Sequence, residues 1–247
     1  MRRGILLIGL ALLVTVVALA GWGVVALLPA HHPYRGDWHQ DAAGAGRLTV
    51  RSDGLDLALG QGGASQVTVA VSGSYTGRAP LVSVARSGPE VTVTAHCSAG
   101  CSGHLQVTVP AGLAAQVSAG DAGIRAEGLT GRLELTTGLG RVEVDGSSGP
   151  LTVRSTNGAV ILADSSAPEA EVVSTDGAVS ASFTAAPASL KVTTGYGRVD
   201  LRVPHGATYH VDAQSSWSAP SVSLPNTATD APHSVVVRTT RGEITVH

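Results

Sequence analysis

The sequence predicts an all-β fold, a β-solenoid with rungs of 17–20 residues, that follows one apolar N-terminal segment. Two observations support this fold class. From residue 48 onward, hydrophobic and polar residues alternate with a period of two, which is typical of β-strands. One phrase also recurs along the chain, and repeats of about 20 residues are typical of solenoids, in which stacked units share one core.

The composition is consistent with a thin, regular core. Aromatic residues make up 3% of the chain and hydrophobic residues 43%, so Val, Leu, Ile and Ala must fill the interior. The chain has 16 Lys and Arg, and the only charged residues before position 31 are Arg2 and Arg3. The rest of the chain therefore has 14 Lys and Arg against 18 Asp and Glu. The resulting net charge of −4 argues against nucleic acid as a partner, since nucleic-acid binding requires a basic surface.

Residues 4–30 form an uninterrupted apolar segment after a stub of residues 1–3. As a helix, this segment would be about 40 Å long, enough to cross a hydrocarbon core of about 30 Å. Arg2 and Arg3 are expected to stay in the cytoplasm, so the rest of a single-pass membrane protein would face outward. The alternative is a signal peptide cleaved after Ala20, followed by secretion. We favour the anchor because the apolar run continues ten residues beyond Ala20.

We expect one extracytoplasmic β domain at residues 47–247. Beyond the anchor, we predict a juxtamembrane linker at residues 31–46. The first part of the domain, residues 47–104, is expected to be irregular, and residues 105–247 are expected to form regular repeats with a loop insertion at 212–233. The paired His31 and His32 in the linker are candidate metal ligands. Because no other ligand is near them in the sequence, we interpret them as solvated side chains.

The recurring phrase is apolar-x-apolar-x-Ser/Thr-Ser/Thr-x-Gly-x-apolar-x-apolar, and residues 133–144 are a complete copy. Further copies lie at 151–162, 171–179, 190–201 and 235–246, with weaker ones at 48–59, 82–93 and 117–124. One glycine occupies the same place in six copies: Gly123, Gly140, Gly158, Gly177, Gly197 and Gly242. Their successive spacings are 17, 18, 19, 20 and 45 residues, and the last spacing marks the insertion.

The repeated glycine predicts a turn in every copy. Asn157-Gly158 and Asp176-Gly177 are dipeptides typical of left-handed turns with positive φ. One alone would predict a hairpin, but a column of them predicts the corner of a solenoid. The Ser/Thr pair before the glycine is expected to stack or hydrogen-bond between rungs. The alternative is an antiparallel sandwich or prism of stacked hairpins; we favour the solenoid because a lone hairpin cannot bury its apolar face.

The repeated T-T-x-G-x-V phrase, together with the V-T-V-P-A-G step at 107–112, resembles the bacterial putative-adhesin family. This family is a domain of unknown function found in β-strand repeat proteins of the cell envelope. The resemblance extends over residues 47–247. It implies a right-handed β-helix-like fold and a location in the envelope, and some members are associated with envelope-stress responses. It brings no catalytic residues to this chain.

Cys97 and Cys101 are the only cysteines. Outside the cytoplasm, two cysteines this close in sequence most often form a disulfide. The alternative is a zinc site completed by His96 and His104, but this spacing is not one that zinc sites commonly use. We expect the disulfide to hold the turn between an irregular first sheet and the regular repeats.

Two other groups of polar residues have a functional and a simpler interpretation. Glu134 and Glu143 could form a carboxylate pair for glycan cleavage. We interpret them as outward-facing charges with Arg neighbours, because they alternate with apolar residues. Asp121, Asn157 and Asp176 could line a calcium column, but the dense Gly-Asp motif of calcium-binding repeats is absent. We therefore predict no metal, no cofactor and no catalytic residue.

The predicted partner-binding surface consists of Tyr196, Tyr209, Trp217 and the insertion at 212–233. Large exposed rings on a scaffold poor in aromatics favour contact with a ligand. The alternative is that Trp217 packs its own loop or caps the last rung. We expect a non-enzymatic, adhesin-like module that binds an envelope protein or a glycan. The alternatives are a component of an envelope-stress sensing system and, less favoured, a polysaccharide-acting enzyme; the oligomeric state is left open.

Overall fold

The computed structural model describes residues 31–63 and 65–247, and Pro33–His247 form one compact unit. The predicted stub and anchor at residues 1–30 lie outside the described part. Within that part, no helix is long and apolar enough to span a membrane. Its regular elements are all strands: β1 (His32–Asp41), β2 (Arg47–Asp53), β3 (Asp56–Gly62), β4 (Gln66–Tyr75), β5 (Leu81–Ser87), β6 (Glu90–His96), β7 (Cys101–Pro110), β8 (Ala114–Ala119), β9 (Ile124–Glu127), β10 (Leu133–Thr137), β11 (Val142–Asp145), β12 (Leu151–Asn157), β13 (Val160–Ser165), β14 (Glu169–Asp176), β15 (Val179–Phe183), β16 (Ser189–Tyr196), β17 (Val199–Arg202), β18 (Tyr209–Ser215), β19 (Ser221–Val222), β20 (His233–Arg241) and β21 (Ile244–Val246).

The strands form two sheets, here called sheet A, with 11 strands, and sheet B, with 10 strands. From β8 to β17 the chain alternates between them, so that each rung contributes one strand to sheet B and the next to sheet A. Neighbouring rungs pair in parallel with equivalent positions in register, for example Leu133 with Leu151 and Val142 with Val160. The all-β solenoid prediction is therefore confirmed, and the alternative of stacked antiparallel hairpins is wrong.

The core lies between the two sheets. The period-two alternation turns every second side chain of each strand inward, where the parallel register stacks apolar residues into columns. One column in sheet B is Leu135, Val153, Val172, Val192 and Val237, and one in sheet A is Val142, Val160, Val179, Val199 and Ile244; all are buried. Burial of each such side chain contributes about 1.5–3 kcal/mol, so the repeat itself builds the core.

Two rungs lie out of chain order, one near each end of the stack. The rung β2–β3 lies between β6–β7 and β8–β9, and the rung β20–β21 lies between β16–β17 and β18–β19. The chain between Gly197 and Gly242 forms the outermost rung, β18–β19, before it returns to β20. The wide spacing between the two glycines therefore reflects an additional rung and not a simple loop. The predicted loop insertion at 212–233 is wrong in this respect, because β18 and β19 pair in parallel with β20 and β21.

The end of the stack that is formed by the first strands of the domain contains antiparallel strands. β4 pairs antiparallel with β7, and β5 pairs antiparallel with β6. The weak copy predicted at 82–93 is thus part of a hairpin, whereas the copy at 48–59 is a true parallel rung. Residues 47–104 do not form a separate first sheet, since their strands join both sheets and the single core.

The predicted linker at 31–46 is mostly a strand. β1 is the neighbour of β4 at the edge of sheet A. Its Tyr34 and Trp38 are partly buried against the core. The packing of these two rings explains why this short segment is ordered on the domain, which its small and polar neighbours did not indicate.

The six repeated glycines all lie where the chain leaves sheet B for sheet A, a place we call the glycine corner. A Cβ on Gly140 would overlap the carbonyl group of Ala122 in the preceding rung, and a Cβ on Gly158 would overlap the carbonyl group of Gly140. The same overlap recurs for Gly177 on Gly158, Gly197 on Gly177 and Gly242 on Gly197. Neighbouring rungs are only about 4.8 Å apart, and here the backbones touch directly.

The predicted positive φ is confirmed at Gly158 and Gly177, although neither glycine adopts the left-handed helical conformation. Gly158 and Gly177 have φ values of 159° and 157°, far from the left-handed helical value of about 57°. Asn157 and Asp176 have ordinary negative φ, since Asp164 alone among the described non-glycine residues has positive φ. Close contact between rungs therefore requires glycine at position 140, and positive φ is a second requirement at Gly158, Gly177 and Gly197.

A column of buried hydroxyl side chains runs beside the glycines, as the repeated Ser/Thr pair predicted. The Thr137 hydroxyl donates to the Ala122 carbonyl oxygen at 3.1 Å and accepts from the Gly140 N–H at 3.2 Å. Thr137 thus ties the corner of its own rung to the preceding rung. In the described residues, the buried hydroxyls of Ser174 and Thr239 have no hydrogen-bond partner.

Candidate ligand-binding site

One exposed row of side chains follows the sheet B strands around the glycine corner. We call it the corner column, and its members are Leu139, Asn157, Asp176, Tyr196, Arg241 and Trp217. Backbone register stacks Asn157 on Asp176, Asp176 on Tyr196, and Tyr196 on Arg241. Three of the five large hydrophobic side chains that are exposed in the described residues belong to it: Leu139, Tyr196 and Trp217.

Trp217 lies at the end of this column on a tightly held turn. The Ser215 hydroxyl accepts hydrogen bonds from the Trp217 N–H at 3.2 Å and the Ser218 N–H at 3.3 Å, and it donates to the Gly242 carbonyl oxygen at 2.8 Å. The side chain is nevertheless 71% exposed. The backbone is therefore fixed to the neighbouring rung while the indole faces solvent, which does not fit the alternative that Trp217 packs its own loop.

Arg241 lies between the two exposed rings. Its guanidinium carbon is 5.7 Å from the centre of the Tyr196 ring, a cation–π distance. On the other side, Arg241 and Trp217 line an open cleft of about 520 Å³ together with Glu243. The Glu243 carboxylate is already bound by Arg198 at 2.8 Å. The cleft is thus lined by the Trp217 indole and by the Arg241 guanidinium, which packs against the face of the Tyr196 ring.

Tyr209 does not belong to this surface. It is 0% exposed, its hydroxyl donates to the Pro204 carbonyl oxygen at 2.8 Å, and its ring lies 5.7 Å from that of His233. Burial raises the pKa of its phenol. The prediction that Tyr209 is an exposed contact residue is therefore wrong; it packs the first residue of β18 into the core and caps the outermost rung.

Cys97 and Cys101 form the predicted disulfide between β6 and β7. The two histidines proposed as zinc ligands have carboxylate neighbours instead. His96 Nδ1 is 2.8 Å from Asp53 Oδ2, and His104 Nδ1 is 3.9 Å from Asp56 Oδ2. The described residues contain no group of three or more side chains suited to a metal ion. In the corner column, Leu139 separates Asn157 from the next rung's Asp121, so these residues do not form a continuous acidic row.

Several charged side chains on the outer faces of the sheets form ion pairs. Glu143 lies 3.1 Å from Arg125 and 3.2 Å from Arg141 on sheet A. Glu134 lies on β10 of sheet B, across the core from Glu143, so the structure does not bring this candidate carboxylate pair together. Glu143 thus lies beside arginine counter-ions on an outer face, as the alternation of the sequence indicated.

A second, smaller depression of about 290 Å³ lies on the outer face of sheet A. Asp56, His104, Arg125 and Glu143 line it, over the small side chain of Ala58. Its Asp56 carboxylate accepts a hydrogen bond from the Gly123 N–H at 3.0 Å. The Arg125 Nε–H donates a hydrogen bond to the Glu127 carboxylate, which raises the pKa of Arg125. Because these charges satisfy one another, the corner column is the stronger candidate for a binding site.

These features define a class of protein: a two-sheet, parallel β-solenoid with antiparallel strands at one end and a displaced rung near each end. A model of the Toastrack DUF4097 family matches residues 101–247, which is more than half of the chain. The chain therefore belongs to the Toastrack DUF4097 family, a domain of unknown function, and the resemblance seen in the repeats is confirmed.

Solved structures provide two further comparisons. A protein described as a putative cell adhesion protein from Clostridium sporogenes is 11% identical, with a TM-score of 0.44, covering 87% of this chain and 99% of its own. One described as a putative adhesin from Parabacteroides merdae is 12% identical, with a TM-score of 0.36, covering 87% of this chain and 96% of its own. Among curated proteins there is no significant match.

The sequence pattern indicated Tyr196 and Trp217 as binding residues but not Arg241. The signal that could have found it was the repeat alignment, in which Arg241 occupies the place of Tyr196 one copy later. Arginine in a turn usually indicates a solvated side chain, so its position between two rings became visible only when the displaced rung was placed.

Proposed function

We propose that this chain is a non-enzymatic, adhesin-like module of the cell envelope that binds a partner through the corner column. The observation that carries the proposal is the exposed indole of Trp217, 71% accessible on a backbone held by hydrogen bonds, next to Arg241 and Tyr196. Tryptophan, tyrosine and arginine are the residues that most often dominate binding energy. A rigid scaffold that keeps them exposed favours contact with a ligand.

The proposed location is outside the cell membrane, with residues 4–30 as the anchor. Two features of the sequence support it, the long apolar segment and the arginines before it. The disulfide between Cys97 and Cys101 is consistent with an oxidising compartment. A protease added to intact cells should then remove the β domain from the full-length chain; complete protection would contradict this location.

The binding proposal is tested by cosedimentation of the full-length chain, in detergent, with the insoluble envelope fraction of the source organism. The double variant Trp217→Ala, Tyr196→Ala should lose most of the bound fraction. The matched control is Leu81→Ala, since Leu81 is 73% exposed but lies on β5 at the opposite end of the stack. Equal sedimentation of the parent and the double variant would contradict binding through the corner column.

A further inference from the structure

We propose that the ligand of the corner column is a carboxylate-bearing glycan, with a sugar ring on the Trp217 indole and its carboxylate on the Arg241 guanidinium. This inference rests on the proposed function, because it names the ligand class of the same site. Four properties of the column carry it: its charge, its size, the state of its backbone, and the spacing of its rings.

The charge of the site selects an anion. Glu243, the one carboxylate that lines the cleft, is bound by Arg198 at 2.8 Å. Asp176 lies two rungs from Arg241 in the column, a separation of about 10 Å. Arg241 itself has the Tyr196 ring as its described partner. Its planar guanidinium can therefore receive a carboxylate through two parallel hydrogen bonds.

The size of the site does not suit a folded protein. The six members of the column, spaced by about 4.8 Å, form a stripe about 24 Å long and one side chain wide. A stable protein interface buries about 800 Å² on each partner, far more than such a stripe supplies. The cleft of about 520 Å³ instead falls in the range typical of small-ligand sites.

The backbone of the corner does not suit an extended peptide. Peptides that bind repeat or sheet proteins commonly use main-chain hydrogen bonds to a free strand edge. Here the N–H groups of Gly158, Gly177 and Gly197 already donate to carbonyl oxygens of the next rung, at 3.0, 2.8 and 2.9 Å. Along these inner rungs the column therefore offers ring faces and a guanidinium, and the edge strands β18 and β19 lie only at its outer end.

The spacing of the two rings suits a linear oligosaccharide. Tyr196 and Trp217 are separated by the rung that carries Arg241, and two rungs span about 10 Å. The rigid indole can lie against the apolar face of a pyranose ring, since an aromatic face combines apolar area with little conformational entropy. An acidic sugar next to it would place its carboxylate at Arg241.

The test uses titration calorimetry on the full-length chain in detergent, with oligogalacturonate as the acidic glycan and its methyl ester as the neutral counterpart. Oligogalacturonate should bind, and methyl esterification should weaken binding about tenfold or more, which corresponds to about 1.4 kcal/mol. Trp217→Ala and Arg241→Gln should each weaken it by a similar factor. Arg241→Lys should retain part of the affinity, because it keeps the charge but loses the bidentate geometry. The control Arg132→Gln removes the same charge far along the stack and should leave binding unchanged.

The remaining outcomes separate this inference from the proposed function. Equal affinity for the acid and its ester, or no effect of Arg241→Gln, would overturn the carboxylate assignment. Absence of oligogalacturonate binding, while cosedimentation with envelopes still depends on Trp217, would overturn the glycan class and leave the proposed function standing. Tighter binding of hexaglutamate than of oligogalacturonate, dependent on the same two residues, would assign the site to an acidic peptide and overturn the glycan.

Discussion

Replacement of Gly140 by Ala tests why the repeat contains glycine at its corner. The added Cβ would overlap backbone atoms only: the carbonyl oxygen and carbon of Ala122 and the N of Gly123 in the preceding rung. No flexible side chain can move away, and the parallel ladders on both sides hold the two rungs together. Overpacking costs about 1–3 kcal/mol where side chains can adjust, so here we expect about 3 kcal/mol or more.

The measurement is thermal unfolding of the full-length chain in detergent, followed by far-ultraviolet circular dichroism. For a domain of this size, about 3 kcal/mol lowers Tm by about 6–12 °C. The matched control is Gly60→Ala in β3, where a Cβ has no neighbour within 4 Å and φ is not positive. This control should be neutral or more stable by about 0.5–1 kcal/mol, because alanine restricts the unfolded chain.

Gly140→Asn separates the two explanations of the glycine. Asparagine tolerates a left-handed conformation, so it would be nearly as stable as glycine if a left-handed turn were the requirement. If contact between rungs is the requirement, Gly140→Asn should lose at least as much stability as Gly140→Ala. An unchanged Tm for Gly140→Ala, or an equal loss for Gly60→Ala, would refute the contact explanation.

Three further predictions concern other buried groups. Replacement of both Cys97 and Cys101 by Ser should cost about 2 kcal/mol in calorimetric unfolding, since the loop they close is small; a loss of solenoid structure would show a larger role. Burial raises the pKa of Tyr209, so the unfolded chain ionises first and stability should fall as pH rises above about 10. Tyr209→Phe should flatten that alkaline fall in denaturant titrations, and an identical pH profile would contradict it. Ser174→Ala should raise stability by about 1 kcal/mol because its buried hydroxyl has no partner, whereas Thr137→Ala should lower it by about as much; equal effects of the two on Tm would refute this distinction.

The candidate site was predictable from the sequence in part. An exposed aromatic on a chain with few aromatics is informative, and Tyr196 and Trp217 are indeed exposed. The prediction that Tyr209 is exposed was wrong because its sequence neighbours, Pro204 to His210, have the composition of a loop. Its ring in fact packs against His233, in a strand 24 residues later. Contacts between residues distant in sequence decide which ring is buried, and the local pattern does not record them.

Periodicity by itself determined the all-β class, the rung length and the inward-facing Val, Leu and Ile columns, because alternation and repetition act between residues that are close in sequence or equivalent in neighbouring copies. Only the tertiary structure decided the order of the rungs. The displacement of β2–β3 and β20–β21 changes no local pattern, since any rung can stack on any equivalent rung through the same hydrogen bonds. That displacement is also what places Arg241 next to Tyr196 and Trp217 next to Arg241. The proposed binding site therefore depends on the order in which the rungs stack, and no single segment of the sequence specifies that order.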